Sequence, residues 1–181
     1  MDKAGEQIFK EAVQLHDAGT EGDKEAVIKA HNLLQKLRQQ FPDDHLVEAY
    51  YGSTLALLGR DAIDPLERFK KANQGLKILD RIVNSAPDNA RVRILRAYVS
   101  YRVPEEFFHR TPTAIADFQH LVTLYEQDRS ILPQTSYWQI LYNLGAAYQR
   151  SGNNDAAQKI WAKLLEETND PHYRQLVQRE T

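Results

Sequence analysis

Two residue types near the middle of the chain have the chemistry and the spacing to bind a ligand. Arg91, Tyr98 and Arg102 are seven and four residues apart, so they share one face if this segment is a helix. Tyrosine and arginine often dominate the binding energy of protein interfaces. Two arginines beside tyrosines suit a peptide with apolar side chains and at least one carboxylate. The alternative is that Tyr98 and Tyr101 pack between neighbouring elements, while the arginines pair with local Asp or Glu residues.

The same segment is locally basic, which makes RNA a second ligand to consider. Tyr98 and Tyr101 alternate with arginines, and this combination can bind single-stranded RNA by stacking and charge. Against this, Glu105 and Glu106 lie in the same segment, and the whole chain has a net charge of −2. We therefore predict no nucleic-acid partner and rank RNA binding as the lowest alternative. The arginines concerned are Arg91, Arg93, Arg96, Arg102 and Arg110.

No motif for catalysis or metal binding accompanies this basic face. The six histidines include no His-Glu-x-x-His pair, and the chain lacks a Gly-rich phosphate loop and a Gly-x-Ser-x-Gly elbow. It contains no cysteine, which excludes disulfides, thiolate nucleophiles and zinc–sulfur sites. We therefore predict a protein that is not an enzyme, with no cofactor and no metal site.

Composition and charge are those of an ordinary globular protein. The 181 residues are 42% hydrophobic and 27% charged, and they are enough to bury a substantial core in one domain. No segment approaches the roughly 18 apolar residues of a membrane span, which predicts no membrane insertion. The first residues lack the basic start and apolar core of a secretory signal, so the predicted location is cytoplasmic.

Prolines divide the chain into helical hairpins of similar length. Pro42, Pro87, Pro133 and Pro171 are 45, 46 and 38 residues apart, and each follows an apolar run with helical periodicity. No segment shows the two-residue alternation of a half-buried strand. We therefore predict an all-α fold of nine helices, with four hairpins and a C-terminal capping helix in a single domain, residues 1–181. The hairpins span about 3–42, 44–87, 90–132 and 135–169, and the capping helix spans 171–180.

Small and large residues alternate along the fourth hairpin at the spacing that two close-packed helices need. They are Leu144, Gly145, Tyr148, Gly152, Ala157 and Trp161. Their order resembles that of the tetratricopeptide repeat (TPR) family. In that pattern Gly145 lies where the first helix presses against the second and Ala157 is its counterpart there. Trp161 fills the gap toward the next element.

The resemblance implies both a fold and a type of function. TPR hairpins stack into a right-handed superhelix (an α-α solenoid), whose first (A) helices line a concave groove. That groove implies a non-catalytic protein–protein interaction module, or scaffold, that binds a peptide or helix of a partner protein. The alternative is a self-assembling, homo-oligomeric scaffold. The match is weaker in the second hairpin, which keeps Gly52 and Gly59 but has Gly75 where the family prefers alanine, and which carries an insertion around residues 62–65.

The groove-lining phase of the family, transferred to the A helices of this chain, selects a set of partner-binding residues. They are Phe9, Val13, Arg91, Tyr98, Arg102, Gln139, Tyr142 and Arg150, with neighbours that include His16, Ser53 and Gln149. Asn143 joins them because it falls at one asparagine position of the clamp by which a TPR subgroup grips a C-terminal carboxylate. Ala49, Ser53 and Leu95 stand at other clamp positions and offer neither amide nor charge, so we do not expect that clamp here.

A loop after the third A helix adds a second predicted binding element. It contains two adjacent phenylalanines, Phe107 and Phe108. Both cannot face water cheaply, because burying each one fully is worth roughly 1.5–3 kcal/mol. Either they fold back onto the helices or they form a knob that binds a partner.

Overall fold

The computed structural model describes residues 1–180, and this part of the chain contains ten helices and no strand. The helices are α1 Lys3–Thr20, α2 Lys24–Gln40, α3 His45–Asp61, α4 Pro65–Ser85, α5 Ala90–Arg102, α6 Glu105–Phe108, α7 Thr111–Gln127, α8 Gln134–Arg150, α9 Asn154–Glu167 and α10 Pro171–Glu180. Helices are present in all four predicted hairpins and in the predicted capping segment. The all-α prediction is therefore confirmed.

The predicted count of nine helices is wrong, because the segment predicted as a loop contains the short helix α6. The Glu105 carboxylate accepts hydrogen bonds of 2.7 Å from both the N–H and the hydroxyl of Thr111, the first residue of α7. His109 ends the turn with a positive φ of 50°. These contacts connect the start of the segment to the start of α7, and residues 105–108 complete one helical turn.

Side-chain caps begin both helices of the second hairpin. The Asp44 carboxylate accepts hydrogen bonds from the N–H groups of Leu46 and Val47 at 3.0 and 3.1 Å, and so begins α3. Asp64 accepts from Leu66 at 3.2 Å and begins α4. Pro65 follows it at the first helical position, where a missing N–H costs little.

The chain packs as two compact units, Met1–Val99 and Ser100–Thr181, and the boundary between them falls inside α5. Unit 1 contains the hairpins α1/α2 and α3/α4, and unit 2 contains the hairpin α8/α9. The third predicted hairpin begins in the boundary helix itself. The single domain that the sequence predicts stays a prediction.

Unit 1 brings α3 and α4 into backbone contact at two glycines. A Cβ atom added to Gly75 would lie 3.1 Å from the backbone nitrogen of Ala56 and would collide with the carbonyl oxygen of Gly52. A Cβ atom added to Gly52 would lie 3.0 Å from the carbonyl oxygen of Gly75. The alanine that the TPR pattern prefers at position 75 therefore does not fit this pair of helices.

A buried carboxylate links three helices of unit 1. Glu48 on α3 is only 5% exposed, and it accepts hydrogen bonds from Arg38 on α2 and, at 2.5 Å, from Arg81 on α4. The Arg38 guanidinium also lies 4.0 Å from the centre of the Tyr51 ring. Because a buried carboxylate needs such partners, this cluster favours one arrangement of the three helices.

Aromatic side chains form much of the core of unit 2. Phe118 on α7 and Tyr137 on α8 are almost completely buried. The Tyr137 ring stacks on that of Tyr125, with ring centres 4.0 Å apart and an angle of 16° between the planes. This stack joins α7 to α8.

Trp161 packs within its own hairpin, against Gly145. A Cβ atom added to Gly145 would come within 2.6 Å of Trp161 Cδ1, and the three heavy atoms nearest to it all belong to the indole. The indole N–H donates a hydrogen bond of 3.1 Å to the carbonyl oxygen of Tyr142. The prediction that Trp161 fills the gap toward the next element is not tested by these contacts and stays a prediction. The space left by the glycine accommodates the flat ring.

Candidate functional site

The predicted groove residues fall into two sets, one in each unit. Phe9, Val13, Arg91 and Tyr98 belong to unit 1, whereas Arg102, Gln139, Tyr142, Asn143 and Arg150 belong to unit 2. The two sets differ in chemistry. Two of the four residues in the unit 1 set are aromatic, whereas the unit 2 set combines one tyrosine hydroxyl with amide and guanidinium donors.

Tyr50 is the centre of the unit 1 set, although the groove-lining phase does not select it. Phe9 and His16 on α1 meet the Tyr50 ring edge-on, with ring centres 5.5 and 5.1 Å away. His16 is buried, and its Nε2 is hydrogen-bonded to Ser53 Oγ at 2.8 Å. Val13 is half-buried. His16 and Ser53 therefore bind each other across α1 and α3.

Arg91 adds a positive charge to this aromatic surface. It is exposed, and its guanidinium interacts with the Tyr50 hydroxyl. Burial raises the pKa of Tyr50 and the charge of Asp17 raises it further, while Arg91 acts in the opposite direction. Tyr98, two turns further along α5, is half-buried. The structure thus brings Phe9 and Arg91 to the same tyrosine.

In unit 2, five residues from three helices form what we call the tyrosine cluster. They are Tyr101 on α5, Tyr142, Gln149 and Arg150 on α8, and Glu180 on α10. Arg150 donates a hydrogen bond of 2.6 Å to the carbonyl oxygen of Tyr101, and its guanidinium lies 4.4 Å from the centre of the Tyr101 ring. The sequence predicts Tyr142 and Arg150 as binding residues, and the structure places both in this cluster.

The two other members of α8 hold Glu180 at two points. The Tyr142 hydroxyl donates a hydrogen bond of 2.8 Å to Glu180 Oε1, and the Gln149 amide donates one of 2.7 Å to the Glu180 carbonyl oxygen. Tyr142 and Gln149 are seven residues apart, so both point from the same face of α8. The face therefore binds a carboxylate and a backbone carbonyl of the same residue.

The electrostatics of the cluster favour neutral tyrosines. Burial raises the pKa of Tyr142, and the hydrogen bond and negative charge of Glu180 raise it further, to about 12. Burial also raises the pKa of Tyr101. The charges of Arg150 and Arg102 lower this pKa, and that of Glu180 raises it. Both hydroxyls keep their protons at neutral pH and can act as hydrogen-bond donors.

Replacing Glu180 by glutamine is expected to lower the pKa of Tyr142 from about 12 toward the ordinary value of 10.0. The substitution removes the negative charge that disfavours the phenolate, while burial still keeps the pKa above its ordinary value. Carbon-13 NMR of labelled tyrosines across a pH titration measures the shift, and Tyr142→Phe assigns the resonance. Glu166→Gln, an exposed glutamate on α9, is the control. An unchanged Tyr142 pKa in Glu180→Gln contradicts the contact.

The same titration has a consequence for stability, with a defined sign. The pKa of Tyr142 in the folded chain lies above its unfolded value, so the folded state holds the proton more tightly. The resulting stabilisation is complete below about pH 10 and is lost as the pH rises toward about 12. The Tyr142→Phe variant, which has no hydroxyl at this position, should not show this fall in stability at high pH.

The remaining predicted residues of unit 2 lie beside the cluster. Arg102 is exposed and close enough to Tyr101 for its charge to lower that pKa. The Gln139 amide donates a hydrogen bond of 3.3 Å to Asn143 Oδ1, and Asn143 is only 6% exposed. The side-chain oxygen of Asn143 therefore already has a partner from its own helix.

The two phenylalanines of the 103–110 segment have different environments. Phe107 is 66% exposed, whereas Phe108 is half-buried and makes a contact within the structure. The sequence offers two alternatives for the pair, folding back or forming a knob. Adjacent residues on a single helical turn point in different directions, so Phe108 packs against the chain while Phe107 does not. Partner binding by Phe107 and Phe108 stays a prediction.

Two kinds of site are not found among residues 1–180. No three His, Asp or Glu side chains in this range are grouped so that they could hold a metal ion. None of its helices has both the length and the apolar character needed to cross a bilayer.

Solved structures with a similar fold include two that cover most of this chain. The MamA RS-1 ArsTM double mutant is 16% identical, with a TM-score of 0.59 over 90% of this chain and 74% of its own. A thermophilic TPR protein of Thermus thermophilus is 17% identical, with a TM-score of 0.50 over 94% of this chain and 95% of its own. Neither a family model nor a curated protein matches the sequence. The fold is a TPR-like helical repeat, as the sequence predicts.

Proposed function

We propose that this chain is a non-catalytic interaction module that binds a peptide or helical segment of another protein on the A-helix surface of unit 2. The tyrosine cluster carries this proposal. It combines aromatic surface with hydrogen-bond donors on a TPR-like fold, a type of fold whose general use is protein interaction. Tyrosine and arginine are also the residue types that most often dominate interface energy.

The chemistry of the cluster indicates what part of a partner it would bind. A tyrosine hydroxyl, a glutamine amide and an arginine guanidinium all act as donors at this surface. Donors grouped in this way suit the carbonyl and carboxylate oxygens of an extended segment or of a helix end. The Tyr101 and Tyr142 rings add apolar area at a small entropic cost, since a tyrosine has few rotatable bonds.

Tyr142→Phe is expected to weaken partner capture about tenfold. The substitution keeps the ring and the helix but removes one hydroxyl donor, and a hydrogen bond to a charged group is worth roughly 1.5–3 kcal/mol. The tagged full-length chain is used for affinity capture from its host, and the captured proteins are quantified by mass spectrometry against the wild type.

Tyr148→Phe is the matched control for this experiment. Tyr148 lies on the same helix, but its hydroxyl accepts a hydrogen bond from Gln119 rather than contacting Glu180. Equal capture by wild type and Tyr142→Phe would refute the proposed surface. If the only protein captured is the chain itself, with a rising mass in light scattering, self-assembly is the function instead.

A further inference from the structure

The tyrosine cluster already holds a ligand-like group, and that group comes from the chain itself. Glu180 presents a side-chain carboxylate to Tyr142 at 2.8 Å and a backbone carbonyl to Gln149 at 2.7 Å. A residue of a bound peptide would present the same two groups. The contact therefore shows which chemistry this face of α8 accepts.

We infer that Tyr142 and Gln149 form a subsite for an acidic residue of the partner segment. In the free chain Glu180 occupies this subsite, and the partner binds there by displacing the last turn of α10. This inference rests on the proposed function and adds the chemical class of the partner. A glutamate or aspartate fits because a hydrogen bond to a charged acceptor is about twice as strong as one to a neutral acceptor.

The last turn of α10 buries little apolar surface, because Val177 is its one buried side chain. Tyr173 and Val177 are the buried residues of this helix, whereas Arg174, Gln175, Gln178 and Arg179 are exposed. Helices of about ten residues have little stability of their own in water. Glu180 also lies in the last turn, where a negative charge is unfavourable to the helix dipole. The bonds from Tyr142 and Gln149 offset that cost only while they are made.

Positive charge around the cluster favours an acidic partner over a neutral one. Arg150 lies on the Tyr101 ring, and Arg102 is near enough to Tyr101 to lower its pKa. Arg179 acts on Tyr142 in the same way, from α10 itself. When the last turn of α10 is displaced, Arg179 leaves together with Glu180, while Arg150 and Arg102 stay beside a subsite that has lost its carboxylate. An incoming carboxylate then replaces the charge that was lost.

The test measures whether an acidic peptide binds better when Glu180 is removed. The probe is a labelled decapeptide with the sequence of residues 171–180, acetylated and amidated, so that the glutamate side chain is its only carboxylate. Binding is followed by fluorescence anisotropy to the full-length chain. The chain is used as wild type, as Glu180→Ala and as the undocked variant Val177→Asp/Glu180→Ala. Circular dichroism checks that each protein is folded.

We expect the undocked variant to bind the probe at least tenfold more tightly than the wild type, with Glu180→Ala in between. The wild-type subsite is occupied by a tethered group, whose effective concentration is of millimolar order. Adding Tyr142→Phe to the undocked variant should remove most of this gain, about tenfold. Tyr148→Phe should leave it unchanged. A probe with glutamine in place of its glutamate should bind roughly fivefold more weakly.

Three results would overturn the inference. The first is equal binding of the probe by the wild type and a folded undocked variant. The second is equal binding of the glutamine and glutamate probes. The third is a doubled mass of the undocked variant, which would mean that α10 binds a second copy of the chain. A different result would contradict the proposed function alone. Probe binding would then follow the expected order, but Tyr142→Phe would not change partner capture.

Discussion

Replacing Gly75 by alanine is expected to destabilise unit 1 by about 1–3 kcal/mol, the usual cost of forcing extra atoms into a packed interior. Helix propensity alone predicts the opposite sign, because alanine is roughly 0.8–1 kcal/mol better than glycine inside a helix. The steric effect wins here. The added methyl group meets the carbonyl oxygen of Gly52 and lies 3.1 Å from the backbone nitrogen of Ala56. Backbone atoms cannot rotate away as a flexible side chain can, so α3 and α4 must separate.

Gln74→Ala separates the two effects in the same helix. Gln74 is exposed and precedes Gly75, so its replacement changes propensity without adding atoms to the α3–α4 contact. Urea unfolding followed by circular dichroism should show Gln74→Ala near the wild type, and Gly75→Ala with a lower midpoint and an unchanged slope. If Gly75→Ala is as stable as the wild type or more so, the two helices do not need this close approach.

Helix starts can be predicted from this sequence because the residues that fix them are close together in the chain. Asp44 and Asp64 each accept hydrogen bonds from N–H groups two or three residues ahead. The helix α6 lacks such a local signal. It depends on Glu105 bonding to Thr111 after the chain has folded back, and Thr111 belongs to the next helix.

The binding surface is only partly predictable, because a helical phase shows which residues share a face but not what covers that face. Tyr142 and Arg150 are selected by phase, and both belong to the tyrosine cluster. Their partners are distant: Glu180 is 38 residues from Tyr142, and Tyr101 is 49 residues from Arg150. No local pattern connects residues so far apart. The sequence can therefore name the donors of this cluster but not Glu180, which they bind.

An error of one residue in the helical phase changes which side chains are predicted to line the groove. Ala49 on α3, which stands at a clamp position of the TPR pattern, is fully buried, whereas its neighbour Tyr50 contacts Phe9 and His16. One residue corresponds to a rotation of roughly 100° around a helix. The second hairpin matches the TPR pattern less well than the fourth, so its phase is less strongly constrained by the resemblance.

Trp161→Ala is expected to cost about 3–5 kcal/mol of the stability of unit 2, the range for removing a large aromatic side chain from a core. Trp161 is 2% exposed, its ring fills the space over Gly145, and its N–H bonds to the Tyr142 carbonyl at 3.1 Å. The same loss should weaken probe binding, because Trp161 holds the part of α8 from which Tyr142 reaches Glu180.

The second tryptophan of the chain isolates the contribution of the indole hydrogen bond. Trp138 Nε1 is buried and has no hydrogen-bond partner among residues 1–180, although its ring meets that of Tyr173 edge-on at 6.1 Å. Trp138→Phe removes a donor that makes no bond, so it should cost less than Trp161→Phe by about 1 kcal/mol. Urea unfolding monitored by circular dichroism compares the two without relying on tryptophan fluorescence. Equal costs would mean that the ring of Trp161, and not its bond to Tyr142, holds α8 and α9 together.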